Sequence, residues 1–217
     1  MFKKSILYFI LTTLLFTVCE ISAQTMQDVL LKSSYPITWL GIDFTHAKLA
    51  GEFNHFMQAG DNSVSEIKEV YIPAWNKIIL NENKKYDIKG ALRKDRIVYD
   101  IDMIMKKNTE IELAEIESYN SPNYSKEDIE QFVNEYSLEN KEGVGLVFVV
   151  EAFNKMQEEA VVDVVFVDLK SKKILFQEKV IGKPMGFGLR NYWAGAIYHI
   201  IREIKETKYS YWKSMYK

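Results

Sequence analysis

The run Val144-Gly145-Leu146-Val147-Phe148-Val149-Val150-Glu151-Ala152-Phe153 constrains the fold more than any other part of this chain. Its apolar residues fall on both faces of an extended backbone, which marks a central strand covered on both sides. Residues 159–168 and 173–181 read as two further strands. The link Asp168-Leu169-Lys170-Ser171-Lys172 is short and polar, so a β-hairpin is the natural connection. Upstream, residues 37–44 read as a first strand, with Leu40, Ile42 and Phe44 on one face and Ile37 and Trp39 on the other. Residues 96–106 alternate: Ile97, Tyr99, Ile101, Met103 and Met105 oppose Arg96, Asp100, Asp102 and Lys106, which predicts a strand with one wetter face.

Helical spacing fills the gaps. Val64, Ile67, Tyr71, Ala74, Trp75, Ile78 and Ile79 recur every three or four residues, predicting a helix over 63–84 with a kink at Pro73. Ile129, Phe132, Val133 and Tyr136 mark a short helix over 126–137, opened by a Ser125-x-x-Asp128 cap. Trp193, Ile197, Ile200, Ile201 and Ile204 mark a last helix over about 190–208. The order β-α-β-α-β-β-β-α predicts an α/β (α+β) domain of two or three layers, with a mixed five-stranded sheet and a C-terminal helix.

The N-terminus has the layout of a secretory signal peptide. Lys3 and Lys4 precede an apolar run from Ile6 to Val18, broken only by Tyr8 and Thr12, Thr13 and Thr17, and Ile21-Ser22-Ala23 offers a cleavage site. The run is about 13 residues long, where a membrane span needs about 20. Cleavage after Ala23 leaves residues 24–217 as one domain in the periplasm or outside the cell. Lipidation at Cys19 is the lesser alternative, because Val18 stands where a small residue is wanted. Cys19 is the chain's one cysteine, so processing would remove every thiol and with it disulfides, cysteine nucleophiles and thiolate metal sites. The net charge of −2 gives no electrostatic case for nucleic acid.

Candidate chemistry is sparse. Gly186-Phe187-Gly188-Leu189-Arg190-Asn191 precedes a helix, but Asn191 occupies the third small position of a dinucleotide fingerprint, so these glycines read first as a sharp turn. Asp100 and Asp102 share a predicted strand face, and Glu110, Glu112, Glu115 and Glu117 lack calcium-loop spacing; both read as solvated faces. His46, His55 and His199 lack metal-binding spacing. No cofactor motif and no metal site is expected. A ligand-binding or hydrolytic site, if built, would lie between loops 45–62 and 182–191 and draw on Asp43, His46, His55, Arg190 and Asn191. The segment 207–217 mixes lysines with Tyr209, Tyr211, Trp212 and Tyr216, a composition suited to contact with a partner or, peripherally, a membrane.

The early strand ending in Asp43-Phe44, the apolar strand Val144 to Val150, and the pair of strands joined by Asp168-Leu169-Lys170-Ser171-Lys172 carry a resemblance. The chain resembles the α/β domain of the curli-secretion lipoproteins and the N-terminal domain of the periplasmic Tol propeller protein. It also looks like uncharacterised secreted proteins of envelope-rich Gram-negative bacteria. Lys172 stands where the first two families often place a turn glycine. The resemblance implies a scaffold or partner-binding role, with an envelope protein or a second copy as partner, and supplies no catalytic residue.

Overall fold

The computed structural model describes residues 21–51, 53 and 63–217. The expected leader, Cys19 and His55 therefore lie outside the described residues, apart from the backbone of 21–23. The fold is mixed α/β: a seven-stranded sheet flanked by helices, closed by a C-terminal helix. The strands are β1 (Ile37–Asp43), β2 (Lys48–Ala50), β3 (Ile97–Tyr99), β4 (Glu117–Ser118), β5 (Val144–Asn154), β6 (Glu159–Asp168) and β7 (Ile174–Gly182). β1 and β2 both run parallel along one edge of β5, as two parts of one interrupted lane. β3 pairs with β1 and β4 with β2, so the seven segments make five lanes. β6 and β7 add antiparallel at the other side, which makes the sheet mixed. Every residue of β5 is buried, as its two apolar faces require.

The helices are α1 (Ile21–Leu31), α2 (Val64–Glu66), α3 (Ile72–Asn81), α4 (Ile88–Ala91), α5 (Asp102–Lys107), α6 (Leu113–Ile116), α7 (Lys126–Asn134), α8 (Leu189–Glu203) and α9 (Tyr209–Ser214). Two apolar cores form, one on each face of the sheet. The larger gathers Val29, Trp75, Ile79, Trp193, Ile200 and Trp212 from α1, α3, α8 and α9. The smaller gathers Ile104, Ile129, Val133 and Tyr136 from α5, α7 and the turn after α7. A π turn (Ile67–Tyr71) joins α2 to α3 directly before Pro73. Its wider winding accommodates a residue that has no N–H to donate and crowds the carbonyl one turn back. Ser125 and Asp128 cap α7 reciprocally, as their spacing predicts.

Three expectations need correction. The predicted strand 96–106 is a strand only over Ile97–Tyr99, and Asp102–Lys107 is helical. Ile97, Ile101, Ile104 and Asn108, all buried, lie three or four residues apart, so a helical period was hidden inside the alternation. Asp100 therefore pairs with Lys141 while Asp102 sits exposed in the first turn of α5, and the two share no strand face. The second correction is in β1, where a bulge between Trp39 and Gly41 inverts the alternation. Ile37, Trp39, Ile42 and Phe44 face the larger core and Leu40 the smaller. The third is the last helix, which continues through a π turn (Ile204–Lys208) into α9.

The bulge leaves β1 without a neighbouring strand beyond Trp39 on its outer side, because β3 ends there. Two buried asparagines replace that strand. Asn76 accepts from Ile42 N–H at 2.7 Å and donates to Ile42 C=O at 2.9 Å, while Asn108 accepts from Phe44 N–H at 2.8 Å. Gly41 has φ +118°, and a Cβ there would stand 2.8 Å from Asn76 Oδ1, so the bulge needs glycine on both counts.

Candidate functional site

The carboxyl end of β1 is where the sheet's connections diverge: the chain leaves toward β3 on one side and later returns to β5 on the other. Open α/β sheets place their ligand crevices at such points. Here the last residue of β1, Asp43, is buried and fully engaged. Its Oδ1 accepts from Thr45 N–H at 2.8 Å and Thr45 Oγ1 at 2.6 Å, and its Oδ2 from Tyr136 Oη at 2.6 Å. Burial, reinforced by the Asp43 charge, raises Tyr136 well above its ordinary value, so this phenol remains a neutral donor.

Beside it runs a second polar chain. His46 Nε2 lies 3.0 Å from Glu135 Oε2, and Lys107 Nζ lies 2.7 Å from the same oxygen. Burial opposes ionisation of Glu135, but hydrogen bonds from Lys107 and His46 outweigh it and hold the carboxyl below its usual value. The His46 ring stacks on Phe132 at 3.8 Å, and Tyr124 donates to His46 C=O at 2.8 Å. Together Thr45, His46, Tyr124 and Phe132 help line a crevice of about 390 Å³. Its rim carries Glu110, Glu112 and Glu115. Tyr124 and Phe132 give it an aromatic lining, but Asp43 and Glu135 are both committed to internal partners.

Of the sequence-derived site residues, His55 lies outside the described residues, and Asp43 and His46 stand apart from Arg190 and Asn191. Asp43 and His46 face α7, at the smaller core. Arg190 sits at the start of α8, at the larger core, 3.5 Å from Glu82 Oε1 and 3.0 Å from the Asn191 side chain, and its carbonyl accepts from Trp75 Nε1 at 2.9 Å. Gly186 and Gly188 have φ +122° and +76°, the sharp turn into α8 that the glycines predicted. Among the described residues no group of three or more His, Asp or Glu side chains is arranged to hold a metal ion.

The aromatic tail is divided. Tyr209 and Trp212 are buried: Tyr209 donates to Leu30 C=O at 3.0 Å, and Trp212 packs on Phe166 and Phe176 and donates to Glu178. Tyr216 is half-buried, its carbonyl accepting from Gln27 at 3.0 Å, and Tyr211 is exposed. The buried pair is therefore core, leaving Tyr211 to face outward.

A different surface carries exposed apolar side chains. At one end of the sheet, the β5–β6 turn presents Met156, β7 presents Ile181, and the loop into α8 presents Met185 and Phe187, the last 74% exposed. The turn and the segment entering α8 are joined by Tyr192 Oη donating to Glu158 at 3.4 Å. No protein-family model, curated protein or solved structure matches this chain.

Proposed function

We propose that this chain is an exported, non-catalytic module of the bacterial envelope that binds another envelope protein or assembles with itself. The observation that carries this reading is the apolar end of the sheet, where Met156, Ile181, Met185 and Phe187 are all exposed. Clustered exposed apolar side chains are a usual mark of protein contact. The leader-like N-terminus and the resemblance to envelope domains support the setting. A photoreactive residue placed at Phe187 in cells is expected to crosslink to a defined partner or to a second copy. The same residue at Tyr119, equally open to solvent, is expected not to. Equal labelling at both positions overturns the assignment of this surface.

A second reading, a small-ligand binder, is favoured by the aromatic crevice around His46, Tyr124 and Phe132. It predicts a ligand whose thermal stabilisation of the protein disappears in Phe132→Ala. The hydrolytic version needs His46 or His55 in one pocket with Arg190; His46 stands on the opposite face of the sheet from Arg190, and His55 lies outside the described residues.

A further inference from the structure

β5 carries one ionisable side chain, Glu151, in an otherwise apolar run. Glu151 is the extra residue of a bulge between Val150 and Ala152. Asp163 on β6 pairs with Val149, and Lys179 on β7 pairs with Asp163, so the three groups form a line across three lanes of the sheet. Glu151 is 0% and Asp163 1% exposed. Lys179 Nζ lies 2.7 Å from Glu151 Oε1 and donates to Asn123 Oδ1 at 2.9 Å, and Gln177 donates to Asp163 Oδ1 at 2.9 Å. Neither Glu151 oxygen nor Asp163 Oδ2 accepts an aligned hydrogen bond from a described group; Lys179 is at ion-pair distance but off the hydrogen-bond direction. Two buried carboxylates against one ammonium leave an excess negative charge, which is costly in the interior. One proton on Glu151 removes that excess and turns a repulsive contact with Asp163 into an O–H···O bond.

We propose that Glu151, Asp163 and Lys179 form a proton-operated latch: a proton held between the two carboxyls ties the β5 bulge to β6, and its release sets two buried carboxylates against each other and loosens that pairing. The groups facing the pair from each neighbouring element fit this role. β7 supplies Lys179 and Gln177. The loop supplies Asn123 and Tyr124, whose phenol is raised by burial and then by the Glu151 and Asp128 charges. α7 supplies Lys126, which with Asp163, Gln177 and Lys179 helps line an open groove of about 450 Å³. From β2, Lys48 is turned away to Glu115 C=O.

Burial, then the hydrogen bond to Asp163, push the Glu151 carboxyl up to about 7 against the pull of Lys179. The folded state therefore holds a proton that the unfolded chain releases near the ordinary value of 4.5. The stability contributed by Glu151 is greatest below that value, falls as pH rises toward about 7, and is level beyond it.

Glu151→Gln keeps the shape and donates an N–H to Asp163 at every pH. It is expected to unfold at the wild-type temperature at pH 5 and roughly 5 °C above it at pH 8. An equal shift at both pH values overturns the latch. Should the variant not fold, the wild-type carboxyl resonance of Glu151 decides by carbon-13 NMR. A midpoint near 7 supports the latch, and one near 4.5 overturns it. Hydrogen exchange of residues 149–152 and 161–165, corrected for its intrinsic pH dependence, is expected to quicken across the same titration; unchanged protection overturns the coupling between the β5 bulge and β6.

Discussion

At the scale of the residue, polar side chains hold this fold where strands cannot. Asn76 and Asn108 stand in for a missing neighbour of β1, and each is buried because the backbone groups it serves are buried. Asn76→Leu is expected to destabilise by about 2 kcal/mol in chemical denaturation, because it orphans the N–H of Ile42, whose C=O keeps Asn108 as a donor. Tyr136 and Asp43 form a comparable closed pair. Lys172 shows the opposite economy: it occupies the left-handed region at φ +61°, which favours glycine. Asp168 steadies that turn by accepting from Ser171 N–H and Oγ, each at 2.7 Å. Asn76 was not legible beforehand, since on a helical wheel it reads as one more polar residue. Glu151 did leave a trace, as the lone charge in the ten-residue run 144–153.

At the scale of the element, the C-terminal segment shows how composition misleads. Lysines alternating with aromatics suggest a surface, yet helical spacing puts Tyr209 and Trp212 on one side of α9 and Tyr211 on another. The buried side closes over β7 through Glu178, which Lys208 also reaches at 2.5 Å, and over the end of α1. Losing one buried tryptophan costs about 3–5 kcal/mol, a large share of the 5–15 kcal/mol that holds a domain together. Deleting residues 207–217 is therefore expected to abolish cooperative thermal unfolding. Tyr211→Ser is expected to change stability by less than about 0.5 kcal/mol. The 96–106 segment fails for a related reason. Its residues satisfy periods of two and of 3.6 at once, and the end of β3 at Tyr99 decides between them.

At the scale of the whole molecule, the described residues contain no cysteine, so packing on both faces of the sheet supplies the stability. α1 contributes Met26, Val29 and Leu30 to that packing. Lys94 secures its end, donating to Val29 C=O and, at 2.7 Å, to Lys32 C=O, with burial pushing its ammonium down to about 8. Processing after Ala23 retains all three apolar contacts. For the exported module proposed above, mass analysis is expected to find Gln24 at the N-terminus. A mass showing a lipid on Cys19 would replace that expectation with anchoring. Among the described residues no helix is long and apolar enough to cross a membrane.

From its sequence alone the chain was legible as an α/β sheet with β5 at its centre, a terminal hairpin, a capped α7 and a long last helix. Each of these follows from local periodicity or from a cap a few residues wide. Tertiary structure decided the rest: the bulges at Gly41 and Glu151, the asparagine side chains beside β1, the burial of Trp212, and the separation of His46 from Arg190. The physical reason is that periodicity records how many faces of a segment avoid water, whereas register, facing and convergence depend on partners distant in the chain.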